Sequence, residues 1–148
     1  MLKILIVDDE IKIREVVKEY AEVYGYECDE ASDGMEAVEK VRDNDYDCVI
    51  LDIMMPRLDG FSACRKIKEM KNVPVIMLSA RSEEEDKLFS FSMGIDDYVT
   101  KPFSPKELMA RIKAVSERNR RSVHSTFRYE DLVVDFDALG ISPEDFIQ

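Results

Sequence analysis

Cys48-Val49-Ile50-Leu51-Asp52-Ile53-Met54-Met55-Pro56 is an unbroken apolar run, then an acid, then a loop closed by proline. Four consecutive apolar residues with no polar alternation read as a strand covered on both faces, the kind found in parallel sheets. An acid at the end of such a strand lies where open α/β sheets place their ligands, outside the carboxyl edge. Working outward, three further segments repeat the pattern. Ile4-Leu5-Ile6-Val7 runs into Asp8-Asp9, Val75-Ile76-Met77-Leu78 into Ser79, and Tyr98-Val99-Thr100 into Lys101-Pro102. Acid, acid, hydroxyl and lysine at one sheet edge suit phosphoryl transfer around a hard cation.

Between these strands the apolar period becomes helical. Ile13, Val16, Val17, Tyr20, Ala21 and Tyr24 share a face, with Gly25 as a stop. Glu27–Ala31 is a weaker strand, and Ser32-Asp33-Gly34 turns into a helix through Ala37, Val38 and Val41. Asp59-Gly60 ends the loop after Pro56, and Phe61, Cys64 and Ile67 mark a third helix. Ser82 and the glutamates after it start a fourth, with Leu88, Phe91 and Met93 apolar and Gly94 closing it. Ser104-Pro105-Lys106-Glu107 is a capping box with proline at the first helical position. The fifth helix is expected to reach about Arg118, followed by a charged linker over Glu117–Arg121. Phe127–Phe136 has weak strand character, and Ser142-Pro143-Glu144-Asp145 is another helix start. Five βα units with continuous apolar strands predict an α/β fold whose parallel sheet is covered on both faces and doubly wound.

The 148 residues suit one domain with a short appendage. Apolar residues make up 45% and charged residues 36%, enough for a packed core and against disorder. No apolar stretch approaches the roughly 18 residues of a membrane span, and Met1-Leu2-Lys3-Ile4 carries no signal-peptide pattern. Cys28, Cys48 and Cys64 form no C-x-x-C pair and read as reduced, mostly buried residues of a cytoplasmic protein. A net charge of −11 makes the chain a poor DNA binder on its own, because such binding draws on Lys and Arg against phosphate.

Asp52 is the candidate phosphoryl acceptor, since a carboxylate can attack phosphorus and hold the group as a mixed anhydride. Asp8 and Asp9 would crowd it, and three carboxylates raise one another's pKa. A divalent cation relieves that; Mg²⁺ takes about six oxygens, and the Met54 carbonyl is a plausible extra ligand. Lys101 offers a point charge and Ser79 a hydroxyl donor to the transferred group. Lys101-Pro102 is a position where a cis bond is available and would aim Lys101 inward, although trans is the commoner state. Each signal has a plain counterpart. Strands often end in Asp, acids complement helix N-termini, and strand-end serines and solvated lysines are common. The set is specific because every member falls at the same end of its strand.

The pattern Val7-Asp8-Asp9, Leu51-Asp52-Ile53-Met54-Met55-Pro56, Asp59-Gly60, Ser79-Ala80 and Asp96-Asp97-Tyr98-Val99-Thr100-Lys101-Pro102-Phe103 resembles the receiver domain of two-component response regulators, over residues 2 to about 120. The resemblance implies a flavodoxin-like (βα)₅ sandwich with strand order 2-1-3-4-5. It implies a phosphoryl group accepted on Asp52 from a sensor histidine kinase. Mg²⁺ or Mn²⁺ would be held by Asp8, Asp9, Asp52 and Met54, and Ser79 and Tyr98 would form a switch pair. Asp96-Asp97-Tyr98 and Ser104-Pro105-Lys106-Glu107-Leu108 resemble the OmpR/PhoB-type transcription factors. That subfamily implies a homodimer, formed on phosphorylation, through the fourth helix, fifth strand and fifth helix. Lys87–Glu107, Asp97–Arg111 and Asp96–Arg118 would pair across subunits around Leu88, Phe91 and Ala110. As solvated helix faces the same charges would contribute little. Residues 1–120 would form the receiver, and 121–148 a linker and the truncated start of a winged-helix effector, resembled by Phe127–Asp135 and Ile141–Phe146. DNA would be reached only through a complete effector.

Two rivals remain. A phosphatase working through an aspartyl-phosphate usually carries a second acid two residues after the nucleophile, where this chain has Met54. A phosphate-independent binding module, or one holding FMN at this sheet edge, would set two acids where a flavin phosphate needs a cradle of small residues.

Overall fold

The computed structural model describes residues 1–80 and 84–128. The elements alternate throughout: β1 Lys3–Val7, α1 Ile11–Val23, β2 Glu27–Ala31, α2 Gly34–Asp43, β3 Cys48–Asp52, α3 Gly60–Met70, β4 Val75–Ser79, α4 Glu84–Ser92, β5 Asp97–Thr100 and α5 Pro105–Arg128. The strands form one parallel sheet in the order β2-β1-β3-β4-β5. This is the flavodoxin-like sandwich. The order reverses between β1 and β3, which places a crevice where Asp8-Asp9 and Asp52 leave the sheet.

Successive strand residues point to opposite faces, and the two faces build two cores. Leu5, Val7, Val49, Leu51, Val75 and Met77 pack with Ala37, Val41, Ala63, Cys64 and Ile67 from α2 and α3. Ile4, Ile6, Ile50, Ile76 and Leu78 pack with Val17 and Ala21 of α1 and with Leu108, Met109 and Ile112 of α5. Because β1, β3 and β4 are covered twice, their sequences lack polar alternation. Backbone approaches are close at the carboxyl edge. A Cβ on Gly60 would lie 2.2 Å from the Asp52 carbonyl oxygen, and one on Gly34 would lie 2.1 Å from that of Leu58.

Four readings of the sequence need adjustment. Asp52 and Ser79 are the last residues of their strands rather than the first beyond them. The fifth helix passes Arg118 and continues to Arg128, so Glu117–Arg121 is helical and not a linker, and Phe127 is helical rather than extended. No glycine or proline occurs between Pro105 and Arg128 to stop it. The capping box is half made: Ser104 Oγ accepts from the Glu107 N–H at 3.3 Å, while the Glu107 carboxylate turns to Arg111 instead of back to Ser104. The Lys101-Pro102 bond is cis. The helix start at Ser82 and the readings for residues 129–136 and 142–146 lie outside the described residues. Among the described residues no helix is long and apolar enough to cross a membrane.

Candidate functional site

Sheet register brings the sequence-distant residues together. Val7 pairs with Leu51, Asp52 with Leu78, and Ser79 with Thr100, so Asp8, Asp52, Ser79 and Lys101 emerge on adjacent strand ends. One carboxylate oxygen from each of Asp8, Asp9 and Asp52 lies within 4.8 Å of the others. Asp8 is fully buried and Asp52 is 4% exposed, whereas Asp9 is open to solvent. An acid serving only the α1 macrodipole has no reason to be buried, which argues against that simpler reading of Asp8.

Asp8 is fixed from several sides. Its Oδ1 accepts the Glu10 N–H at 2.9 Å, and its backbone carbonyl accepts from Arg14 Nη1 at 2.7 Å. Arg14 is held in turn by Glu30, 3.2 Å away. Lys101 Nζ lies 2.8 Å from Asp8 Oδ2, 3.6 Å from Asp52 Oδ1 and 3.9 Å from Glu10 Oε1. The 2.8 Å contact compensates the charge of the buried Oδ2 directly. Burial alone would weaken the Lys101 ammonium; Asp8, Asp52 and Glu10 outweigh it and hold the pKa above its ordinary value. The Lys101 N–H donates to the Ser79 carbonyl at 2.7 Å, tying β4 to the turn after β5.

One ammonium among three carboxylates leaves the cluster negative. The Asp52 carboxyl is pushed up to about 6, first by burial and then by the Asp8 charge, with Asp9 adding to it; Lys101 and the Met54 N–H pull the other way. Converging oxygens and surplus negative charge fit a hard divalent cation, for which carboxylates, a backbone carbonyl and waters are the usual ligands.

The raised Asp52 pKa has a measurable consequence. Well below the ordinary value of 3.8 both folded and unfolded chains carry this proton. As pH rises from the ordinary value of 3.8 to about 6, the unfolded chain loses it first. The native state then holds more protons, so stability falls with rising pH, by up to about 3 kcal/mol in all. Asp52→Asn abolishes this step. In metal-free buffer its stability minus that of the wild type is expected to grow between pH 4 and 6 and to stay level above. Urea unfolding across that range checks it, and a flat difference would refute the raised pKa.

Tyr98 is buried, with Lys87 Nζ 5.8 Å from its ring centroid. Around it α4, β5 and α5 form a charged surface. Arg111 reaches Asp97 Oδ2 at 2.8 Å and Glu107 Oε1 at 2.9 Å within the same chain. Asp96 pairs with Lys68 at 3.2 Å, and Arg118 Nη2 donates to the Asp96 carbonyl at 3.4 Å. Leu88 and Phe91 are 62% and 47% exposed. A surface hollow of about 510 Å³ is lined by Phe91, Asp97, Ala110, Arg111 and Arg118. Another, of about 440 Å³ between α3 and α4, shares no residue with the acid cluster.

Sequence reasoning missed Arg14, which braces Asp8, and Arg57, which pairs with Asp33 at 2.9 Å. It also missed Phe89, whose ring meets Phe61 edge-on at 4.9 Å. No local pattern marks the two arginines; only the fold brings their acids near.

The receiver domain of response regulators, as a family, matches residues 4–113. The transcriptional regulatory protein SrrA of Staphylococcus aureus is 42% identical over 140 residues, covering 94% of this chain and 58% of SrrA, so the chain spans a little over half that relative's length. Among solved structures, the receiver domain of the Francisella response regulator 1452 is 39% identical with a TM-score of 0.77, over 80% of this chain and 98% of that one. The receiver domain of the sensor histidine kinase PA1611 of Pseudomonas aeruginosa, described with a magnesium ion in its active-site cleft, is 31% identical with a TM-score of 0.72, over 78% and 98%.

Proposed function

Since the chain belongs to the response regulator receiver domain family, we propose that it accepts a phosphoryl group on Asp52 from a sensor histidine kinase and passes the event on as a change of shape and association. The observation that carries this is the convergence of the Asp8, Asp9 and Asp52 oxygens within 4.8 Å at a buried sheet edge, with Lys101 as their cation. In the transfer an Asp52 oxygen forms a bond to phosphorus as the phosphorus–nitrogen bond of the donor phosphohistidine breaks. Lys101, anchored on Asp8, is placed to meet the charge on the phosphoryl oxygens, and Ser79 supplies a hydroxyl donor on the neighbouring strand. Asp8, Asp9, Asp52 and the Met54 carbonyl would hold Mg²⁺, or Mn²⁺ in its place, and the bound ion would neutralise charge between acceptor and phosphoryl group. The PA1611 receiver supports that assignment by likeness. The chain is a signalling acceptor rather than a turnover enzyme, and Met54, where a phosphatase needs an acid, favours this.

The rest of the reading concerns output. Ser79 and Tyr98 form the switch, and the α4-β5-α5 face carries an OmpR/PhoB-type dimer. In favour are the exposed Leu88 and Phe91, the hollow beside them, and Asp97 and Arg111 already matched in charge. Phosphorylated chains would exchange such pairs across a two-fold axis, with Lys87 leaving Tyr98 for Glu107 and Asp96 meeting Arg118. Residues 121–148 lead toward an effector that controls transcription. A cytoplasmic site of action accords with the free thiols of Cys28, Cys48 and Cys64.

The test is intact mass after incubation with acetyl phosphate. One phosphoryl group is expected with Mg²⁺ and none with chelator; no addition in either case would favour a phosphate-independent module. Lys101→Met is expected to slow labelling about 10²-fold, the usual size for loss of one charge-stabilising donor. Lys101→Arg should recover part of the rate, and labelling of Lys101→Met at the wild-type rate would remove Lys101 from the chemistry.

A further inference from the structure

One ion pair near the site has no part in the chemistry above. Arg57 lies in the loop from Asp52 to Gly60, and its backbone has φ 66°, a region that non-glycine residues other than Asn and Asp seldom enter. From there its guanidinium reaches Asp33, with Nε 2.9 Å from Oδ2 and Nη2 donating to Oδ1 at 3.0 Å. A planar two-pronged contact fixes orientation as well as distance. Asp33 is itself fixed as the N-cap of α2, accepting the Glu36 N–H at 2.9 Å. The next residues meet in the same place, where the Leu58 carbonyl presses on Gly34 so closely that a Cβ would be 2.1 Å away. Two consecutive residues of the α2 start thus grip two consecutive residues of the loop. The loop's other end is set by the Gly60 N–H on the Ile53 carbonyl at 2.8 Å.

We propose that Asp33 and Arg57 are positioning residues for the cation site: their fork holds the loop so that the Met54 backbone carbonyl is presented beside Asp8, Asp9 and Asp52. The proposal rests on the Mg²⁺ site proposed above. Exposed ion pairs contribute little to overall stability, so the work of this one is local. Outer-shell partners typically change metal affinity 10- to 100-fold; for a solvent-facing pair about fivefold is expected.

The experiment titrates the full chain with MgCl₂ by calorimetry, without phosphodonor. It compares wild type, Arg57→Ala, Asp33→Asn and the double variant. Asparagine caps helices as well as aspartate, so Asp33→Asn removes the charged fork and spares α2. Each single variant is expected to bind Mg²⁺ about fivefold more weakly, and the double variant no more weakly than either, as for one shared contact. Arg57→Lys keeps the charge without the fork and should recover only part of the loss. At saturating Mg²⁺ the labelling rate with acetyl phosphate should return to that of the wild type, whereas a merely structural defect would lower it at every concentration. Unchanged affinity in the singles, tighter binding by Arg57→Ala, or additive losses would overturn the proposal. Absence of Mg²⁺ binding by the wild type would overturn the site reading itself.

Discussion

Asp52→Asn protein treated with acetyl phosphate and Mg²⁺ is expected to keep its untreated mass, while the wild type gains one phosphoryl group. An amide oxygen cannot take the place of the carboxylate nucleophile. The neighbouring acids cannot substitute either. Asp8 is committed on one oxygen to the Glu10 N–H and on the other to Lys101, and Asp9, although one of its oxygens converges on Asp52, is the exposed member of the three. The loss of labelling should be complete within detection. It should coincide with a gain in stability at neutral pH, because the same substitution removes a carboxyl that burial and Asp8 push up to about 6. That combination separates an active residue from a structural one, whose removal weakens fold and function together. Mg²⁺-dependent labelling that survives in Asp52→Asn would move the acceptor role to Asp8 or Asp9.

Gly60→Ala is expected to be strongly destabilising. Its Cβ would stand 2.2 Å from the Asp52 carbonyl oxygen, 2.7 Å from the Ile53 Cα and 2.9 Å from the Asp52 carbonyl carbon. All three are backbone atoms, of the last residue of the strand that carries the acceptor and of the residue after it, so no side chain can rotate aside. Either α3 moves off β3, breaking the Gly60 N–H bond to Ile53, or the end of β3 shifts. A cost of roughly 3–5 kcal/mol follows, at the upper end for a point substitution. Gly25→Ala is the comparison. Gly25 has φ 77° with open space where the methyl would sit, so only the left-handed backbone is penalised, by about 1–2 kcal/mol. Urea unfolding of both proteins checks the order; equal losses would show that the Gly60 contact relaxes freely.

The two largest effects thus fall at sites of different legibility. Asp52 was readable because a doubly covered strand has no polar residues until it ends, which makes the acid conspicuous in Val49-Ile50-Leu51-Asp52. The same signal exposed Asp8, Ser79 and Lys101, and the apolar period together with turn and cap residues marked where helices follow the strands. Gly60 was readable only as a turn residue; its crowding by Asp52 and Ile53 is a tertiary fact that composition does not encode. The Asp33–Arg57 and Arg14–Asp8 contacts were hidden for a similar reason, since they span 24 and six residues of sequence. The end of α5 was misplaced because charged residues suggest a linker, yet Glu, Arg and Asn continue a helix when no breaker intervenes.

The unbroken α5 also acts as a ruler and a dial. Its 24 residues extend about 36 Å at 1.5 Å each, beginning a few residues beyond Lys101. From its middle onward it is moored by Ser116 on the Asp47 carbonyl at 3.3 Å and by Arg120 on Asp47 at 3.1 Å. Past that mooring, every residue advances the chain and turns it by about 100°. Deleting one residue there would swing whatever follows to another side of the molecule, whereas deleting seven, about two full turns, would shorten the reach and nearly restore the heading. Phase, more than distance, would then decide whether a signal arriving at α5 is delivered in a usable direction.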